Sequence, residues 1–211
     1  MPKVIDHAER AEAIAEAALR LLADGGLTGL SVRRVAEEAG LAVASLRRSF
    51  PTQASLRVYC MELIAQRVQR RTEAIDQGLP LPVFAREVLC QLLPLDAERR
   101  TEMEAFLALG TLGEADPELR AAYERSDGMI AAACARLVSA LTGADEASGR
   151  VSLSARHLHA LVDGLALHLL RQPAERSGEW AVELLDGFLA SLTPSDGQDA
   201  PEQDAAMPAS R

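Results

Sequence analysis

The sequence predicts an all-α fold, with an N-terminal three-helix unit that contains a helix-turn-helix, followed by a C-terminal helical bundle. Three observations carry this. Hydrophobic residues make up 48% of the chain but aromatics only 3%, and Ala and Leu, both strong helix formers, dominate. Runs of the β-branched residues that favour strands are scarce. Apolar residues recur at i, i+3, i+4 spacing in successive segments bounded by Gly, Pro and Asp. The 211 residues suffice for one mid-sized domain or two small ones, with a sizeable core.

The first helix is expected over residues 6–26, with Asp6 and Glu9 as a capping box and Ala11, Ile14, Ala18, Leu21 and Leu22 on its inner face. Asp24-Gly25-Gly26 ends it. Ser31 caps a short helix over 32–38, with Val32, Val35 and Ala36 inward. Ala39-Gly40-Leu41-Ala42 is a tight turn, with Gly40 at a positive-φ position. A second short helix over 43–49 buries Val43, Leu46 and Phe50. Pro51 stops it, and Thr52 caps a helix over 53–77. After the break at Gly78-Leu79-Pro80, helices are expected at 82–93, 96–112, 117–142, 147–171 and 178–192. Asp116-Pro117 marks a start, while Thr142-Gly143, Gln172-Pro173 and Thr193-Pro194 mark stops. The segment 193–211 is rich in Pro, Ala, Asp and Gln and reads as disordered. The expected organisation is therefore 1–52, 53–192 and a 193–211 tail.

The stretch 44-ASLRRSFPTQASL-56 carries the chemistry. Two short helices joined by a four-residue turn let the second lie in a major groove about 12 Å wide. Its inner face holds Val43 and Leu46, and its outer face holds Ala44, Ser45, Arg47, Arg48 and Ser49. Arginine makes bidentate contacts to guanine and neutralises phosphate. The first amides of the preceding helix, at Ser31–Arg33, suit a phosphate oxygen. In an arbitrary helical protein Arg47 and Arg48 are an ordinary solvated face. Within this turn geometry they read as DNA contacts. One of Arg33 and Arg34 reaches phosphate and the other is merely exposed.

Charge agrees with that placement. The whole chain is at −9, which excludes a bulk basic nucleic-acid binder, but residues 1–57 carry eight Lys/Arg against seven Asp/Glu. The three cysteines, Cys60, Cys90 and Cys134, are far apart and without CxxC spacing, so reduced, inert thiols in a cytoplasmic chain are expected. The charged start MPKVIDHAERAEA has no apolar signal core, and no run of about 18 apolar residues suggests a membrane span.

Segment 14–56 resembles the N-terminal domain of TetR-type transcriptional regulators. Ile14, Ala17-Ala18, Leu21, Gly26, Ser31-Val32, Val35-Ala36, Ala39-Gly40-Leu41, Ser45-Leu46, Phe50 and Leu56 carry the likeness. Where the family usually has Tyr this chain has Arg47, and where it has Lys this chain has Gln53. The resemblance implies a DNA-contact set of Ser31, Arg33, Val43, Ser45, Arg47, Arg48 and Gln53. Gln53 would keep a donor near a helix N-terminus without the lysine's charge. The stretches 114-EADPELRAAYERSDG-128 and 161-LVDGLALHLLRQP-173 look like the ligand domain of the BetI-like branch. That implies a C-terminal domain that dimerises and encloses a small-molecule effector, in a regulator that acts as a repressor on a palindromic operator. No cofactor is implied.

Met103, Phe106, Tyr123, Met129 and Cys134 lie on the middle helices and, with His157, are the candidate effector contacts. The same stripe also reads as ordinary core. Asp163 is a further candidate at the cavity edge. Leu158, Leu161, Gly164 and Leu165, with Trp180, Leu184 and Phe188 on the last helix, are the candidate dimer interface, as halves of a four-helix contact. The competing reading packs both helices inside one subunit. His159 and Asp163 share a helix face but make only half a metal site, so no metal is expected. No P-loop, GxGxxG, HExxH or Ser-His-Asp order is present. An enzyme with an accessory helix-turn-helix would need a polar catalytic cluster, and none is visible. A protein-interaction module would be indifferent to Arg47 and Arg48 in a gel shift.

Overall fold

The computed structural model describes residues 7–192; Asp6, and with it the expected capping box, and the 193–211 tail lie outside them. Nine helices are described: α1 (His7–Gly29), α2 (Val32–Glu38), α3 (Val43–Ser49), α4 (Gln53–Glu73), α5 (Leu81–Cys90), α6 (Ala97–Leu112), α7 (Pro117–Thr142), α8 (Gly149–Leu170) and α9 (Glu179–Leu192). Two hydrophobic clusters hold them together. One joins α1–α4 to Ala105 and Leu109 of α6 and Leu119 and Ala122 of α7. The other joins α5, the C-terminal half of α7, α8 and α9 around Leu89, Val138, Leu158 and Leu185.

Local signals set most of the ends. Ser31 accepts a hydrogen bond from the Arg34 amide, Asp96 from Arg99, Asp116 from Glu118 and Leu119, and Ser148 from Val151. Thr52 and Ser55 cap each other reciprocally at the start of α4. Gly40 and Gly143, both at φ 66°, take the left-handed conformations that end α2's turn and α7.

Three ends depart from expectation. α1 breaks at Gly26 (φ 54°), yet a helical turn continues to Gly29, closed by the Thr28 hydroxyl donating to the Gly25 carbonyl. α4 stops at Glu73, because Asp76 turns the chain by accepting from the Gly78 amide at 2.9 Å. α5 stops at Cys90: Pro94 disfavours helix in the residue before it, and Leu92 and Leu93 fold into a tight turn.

The three thiols are free and buried. Burial pushes the Cys60 thiol up to about 12. Burial, with Asp163 nearby, does the same to Cys134. Thiolates, the reactive form, are therefore suppressed at both positions.

Candidate nucleic-acid interface and internal cavity

α2 and α3 pack through Val35, Ala36 and Leu46, none of which is exposed, and Phe50 closes the corner against Tyr59 at 4.9 Å between ring centroids. The Leu41 amide donates to the Ala36 carbonyl at 2.8 Å, fixing the turn. With Leu46 turned inward, α3 presents Ala44, Arg47, Arg48 and Ser49 to solvent. Neither arginine makes an ion pair among the described residues, so the outer face offers two free guanidiniums.

The other residues implied for DNA contact are engaged within the fold. The Ser31 hydroxyl is occupied by its cap on Arg34 at 3.2 Å. Val43 is half-buried against the first core. The Ser45 hydroxyl accepts from the Arg10 guanidinium at 3.0 Å, bringing a cation from α1 beside α3. Arg10 was not singled out in the sequence, since nothing local to α1 signals its partner 35 residues away. Arg33 is exposed but paired with Glu37 at 2.8 Å; the Glu37 hydrogen bond and charge raise its pKa. Gln53 corrects an expectation. Its side-chain amide donates inward to the Leu30 carbonyl, a buried acceptor that needs a donor, rather than standing free at the helix end.

Between α4, α6, α7, α8 and the end of α5 lies a cavity of about 610 Å³. Met103, Phe106, Tyr123 and Met129 line it, and the Phe106 and Tyr123 rings stack at 5.2 Å. Cys134 and His157 do not line it. Cys134 is fully buried in the second core, and His157 points to solvent from α8. Asp127 and Asp163 also line the wall, and His159 Nε2 lies 3.5 Å from the first and 3.8 Å from the second. Burial raises the Asp163 carboxyl, against the lowering effect of His159 and with a further rise from Asp127. Burial, Asp127 and Asp163 raise the Tyr123 phenol. Among the described residues, no three His, Cys, Asp or Glu side chains converge closely enough to hold a metal.

Arg71 and Glu102 stand in the same wall, joined by a bidentate pair at 3.1 and 2.7 Å. Glu102 is only 3% exposed. Its register on α6 is legible, but a carboxylate at a buried position gives no local sign of its partner 31 residues earlier.

Tyr123 rests on Gly110: a Cβ there would lie 2.8 Å from the ring's Cε2. Gly110→Ala is expected to force the ring off Phe106 at a cost of about 1–3 kcal/mol. For a chain of this size that lowers the melting temperature by roughly 2–4 °C per kcal/mol. An unchanged melting temperature would mean that the ring has room to retreat.

The residues proposed for a subunit interface divide. Leu158 (0% exposed) and Leu165 (4%) belong to the subunit's own core, because α8 turns that stripe onto α7; a second chain cannot reach them without opening α8. Leu161 and Gly164 are half-buried. Trp180 is half-buried too, its indole N–H donating to the Gln172 side chain at 3.3 Å. Phe188 is half-buried, and Leu184 stands 54% exposed on α9.

Comparison with known proteins agrees with this layout. Residues 14–60 match the family "Bacterial regulatory proteins, tetR family", and residues 85–194 match "BetI-type transcriptional repressor, C-terminal". The chain is 33% identical over 176 residues to the HTH-type transcriptional regulator PksA of Bacillus subtilis (strain 168), covering 82% of this chain and 84% of that one. A transcriptional regulator from Rhodococcus sp. Rha1 shares the fold at TM-score 0.74 and 24% identity, over 86% of this chain and 95% of that one. The multidrug binding protein EbrR, solved in complex with ethidium, superposes at TM-score 0.60 with 28% identity, over 89% of this chain and 100% of that one. With an N-terminal helix-turn-helix that exposes two arginines and a C-terminal bundle around a lined cavity, the chain belongs to the TetR family of ligand-responsive, DNA-binding transcriptional regulators, with a C-terminal region of the BetI type.

Proposed function

We propose that the protein is a cytoplasmic, homodimeric repressor that binds a palindromic operator and leaves it when a small-molecule effector fills the cavity. The observation that carries this is the outer face of α3, where Arg47 and Arg48 are exposed while Leu46 and Phe50 anchor the helix from behind. Arg10, beside Ser45, adds a third cation at the same edge. In this reading residues up to 52 contact DNA, and 53–192 bind effector and dimerise. Two copies related by a two-fold axis would set their α3 helices about 34 Å apart, one turn of duplex.

The lining supports an effector with a large apolar, ring-bearing body, stacked on Phe106 and Tyr123 near the carboxylates of Asp127 and Asp163. Ethidium, the ligand in the EbrR complex, has such a body. No catalytic role is proposed for the cavity; both oxygens of Glu102 are engaged by the Arg71 fork. No helix among the described residues is long and apolar enough to cross a membrane.

The test is fluorescence anisotropy on labelled DNA from upstream of the protein's own gene. Affinity is expected to fall by about 10³-fold or more between 50 and 200 mM salt, as counterion release at six or more phosphates requires. Absence of binding, or binding indifferent to salt, would remove the proposal.

A further inference from the structure

We infer that Glu102 and Arg67 are positioning residues that carry the state of the cavity to α1, by a side-chain exchange between two guanidiniums competing for one buried carboxylate. The inference rests on the cavity being the effector site.

Arg67 sits where α1, α4 and α6 meet, its side chain only 10% exposed. It holds Glu12 at 3.4 Å and Glu16, both on α1, and Glu98 at 3.1 Å on α6. It also lies 3.6 Å from Glu102 Oε1. Two cations of α4, Arg67 and Arg71, thus serve the four carboxylates of Glu12, Glu16, Glu98 and Glu102, with Arg20 of α1 also 3.7 Å from Glu16. Both oxygens of Glu102 are taken by the Arg71 fork, which leaves Arg67 hydrogen-bonded to Glu12 and Glu16 of α1 and Glu98 of α6. Arg71 and Glu102 line the cavity, whereas Arg67 does not. Glu102 is therefore shared between the cavity wall and the joint with the DNA-binding helices.

The consequence follows from burial. An occupant that pushes Arg71 off the wall leaves Glu102 charged, buried and without its fork, which is strongly unfavourable. Arg67 is the next guanidinium within reach, its Nη1 shared between Glu98 and Glu102; closing onto Glu102 tilts the planar group and draws Nη2 away from Glu12 and Glu16. α1 then loses its charged tie to α4 and α6, and α2 and α3, packed on α1, are freed to change orientation. The joint has two discrete arrangements, and an effector that binds one of them better shifts the balance. Such a relay moves the helix-turn-helix through side chains.

Hydrogen exchange on the free, full-length protein tests this without DNA or effector, so its failure leaves the DNA-binding reading untouched, and the converse also holds. Arg71→Met mimics displacement. Arg71 pairs with Glu102 and with no residue of α1 among the described ion pairs and hydrogen bonds, yet α1 amides at 12–22 are expected to exchange about tenfold faster, with α8 and α9 unchanged. The deciding variant is Arg71→Met with Glu102→Gln. Removing the charge removes the demand on Arg67, so α1 protection returns to the wild-type level, whereas a merely structural role predicts additive loss. Should Arg71→Met fail to fold, Arg71→Gln with and without Glu102→Gln reads the same rescue. Unchanged α1 exchange in the single variant, or faster exchange still in the double variant, overturns the relay.

Discussion

Arg47→Ala with Arg48→Ala is expected to abolish specific operator binding while leaving the fold intact. Each arginine that contacts a base edge or phosphate is worth about 1–3 kcal/mol, and the proposed dimer would carry the pair twice. The expected loss is therefore at least about 10³-fold. Anisotropy titrations at several salt concentrations should also show the slope of log affinity against log salt fall by about one for each phosphate contact removed. Both side chains are exposed and Leu46 still anchors α3, so the melting temperature should barely change. A variant that binds the operator like the wild type would move the contact surface elsewhere and favour a helix-turn-helix that meets another protein.

The second large effect separates core from interface. Leu158→Ala removes a fully buried side chain from the α7–α8–α9 core and is expected to cost about 2–5 kcal/mol. At roughly 2–4 °C per kcal/mol, the melting temperature falls by several degrees or more. Leu184→Asp changes a side chain that is 54% exposed and should leave the subunit's fold nearly as it was. Buried at a dimer contact, however, an unpaired carboxylate is costly. Sedimentation at micromolar concentration is therefore expected to shift from dimer to monomer. A Leu184→Asp variant that stays dimeric would rule out the exposed face of α9 as the contact.

The same two leucines show what the sequence could convey. Periodicity groups the apolar positions of α8 and α9, because residues three and four apart share a face whatever lies opposite. It could not say which face meets the subunit's own α7, so Leu158 and Leu165 were expected at a surface they never reach. Signals that act within a few residues were legible: Ser31, Thr52 and Asp116 as caps, Pro117 as a start, and Gly40 and Gly143 as turns. Pairings across the fold were not. Gln53 sits where a DNA-facing donor was expected, and only the buried carbonyl of Leu30, 23 residues earlier, turns it inward. Phe106, Tyr123, Met103 and Met129 were named as possible cavity residues because large, soft side chains recur along two neighbouring helices. Cys134 lies one turn beyond Ile130 on the same helix, but there α7 is packed into the second cluster and the thiol is fully buried.

The placement of the thiols has a practical consequence. Cys60 lies in the cluster that holds the DNA-binding helices, while Cys90 and Cys134 lie in the cluster built on α8 and α9. A probe that modifies only exposed thiols therefore reports the two clusters as separate signals from an unaltered chain. Whether they open together or in sequence becomes a matter of which cysteine is modified first, with no label introduced by mutation.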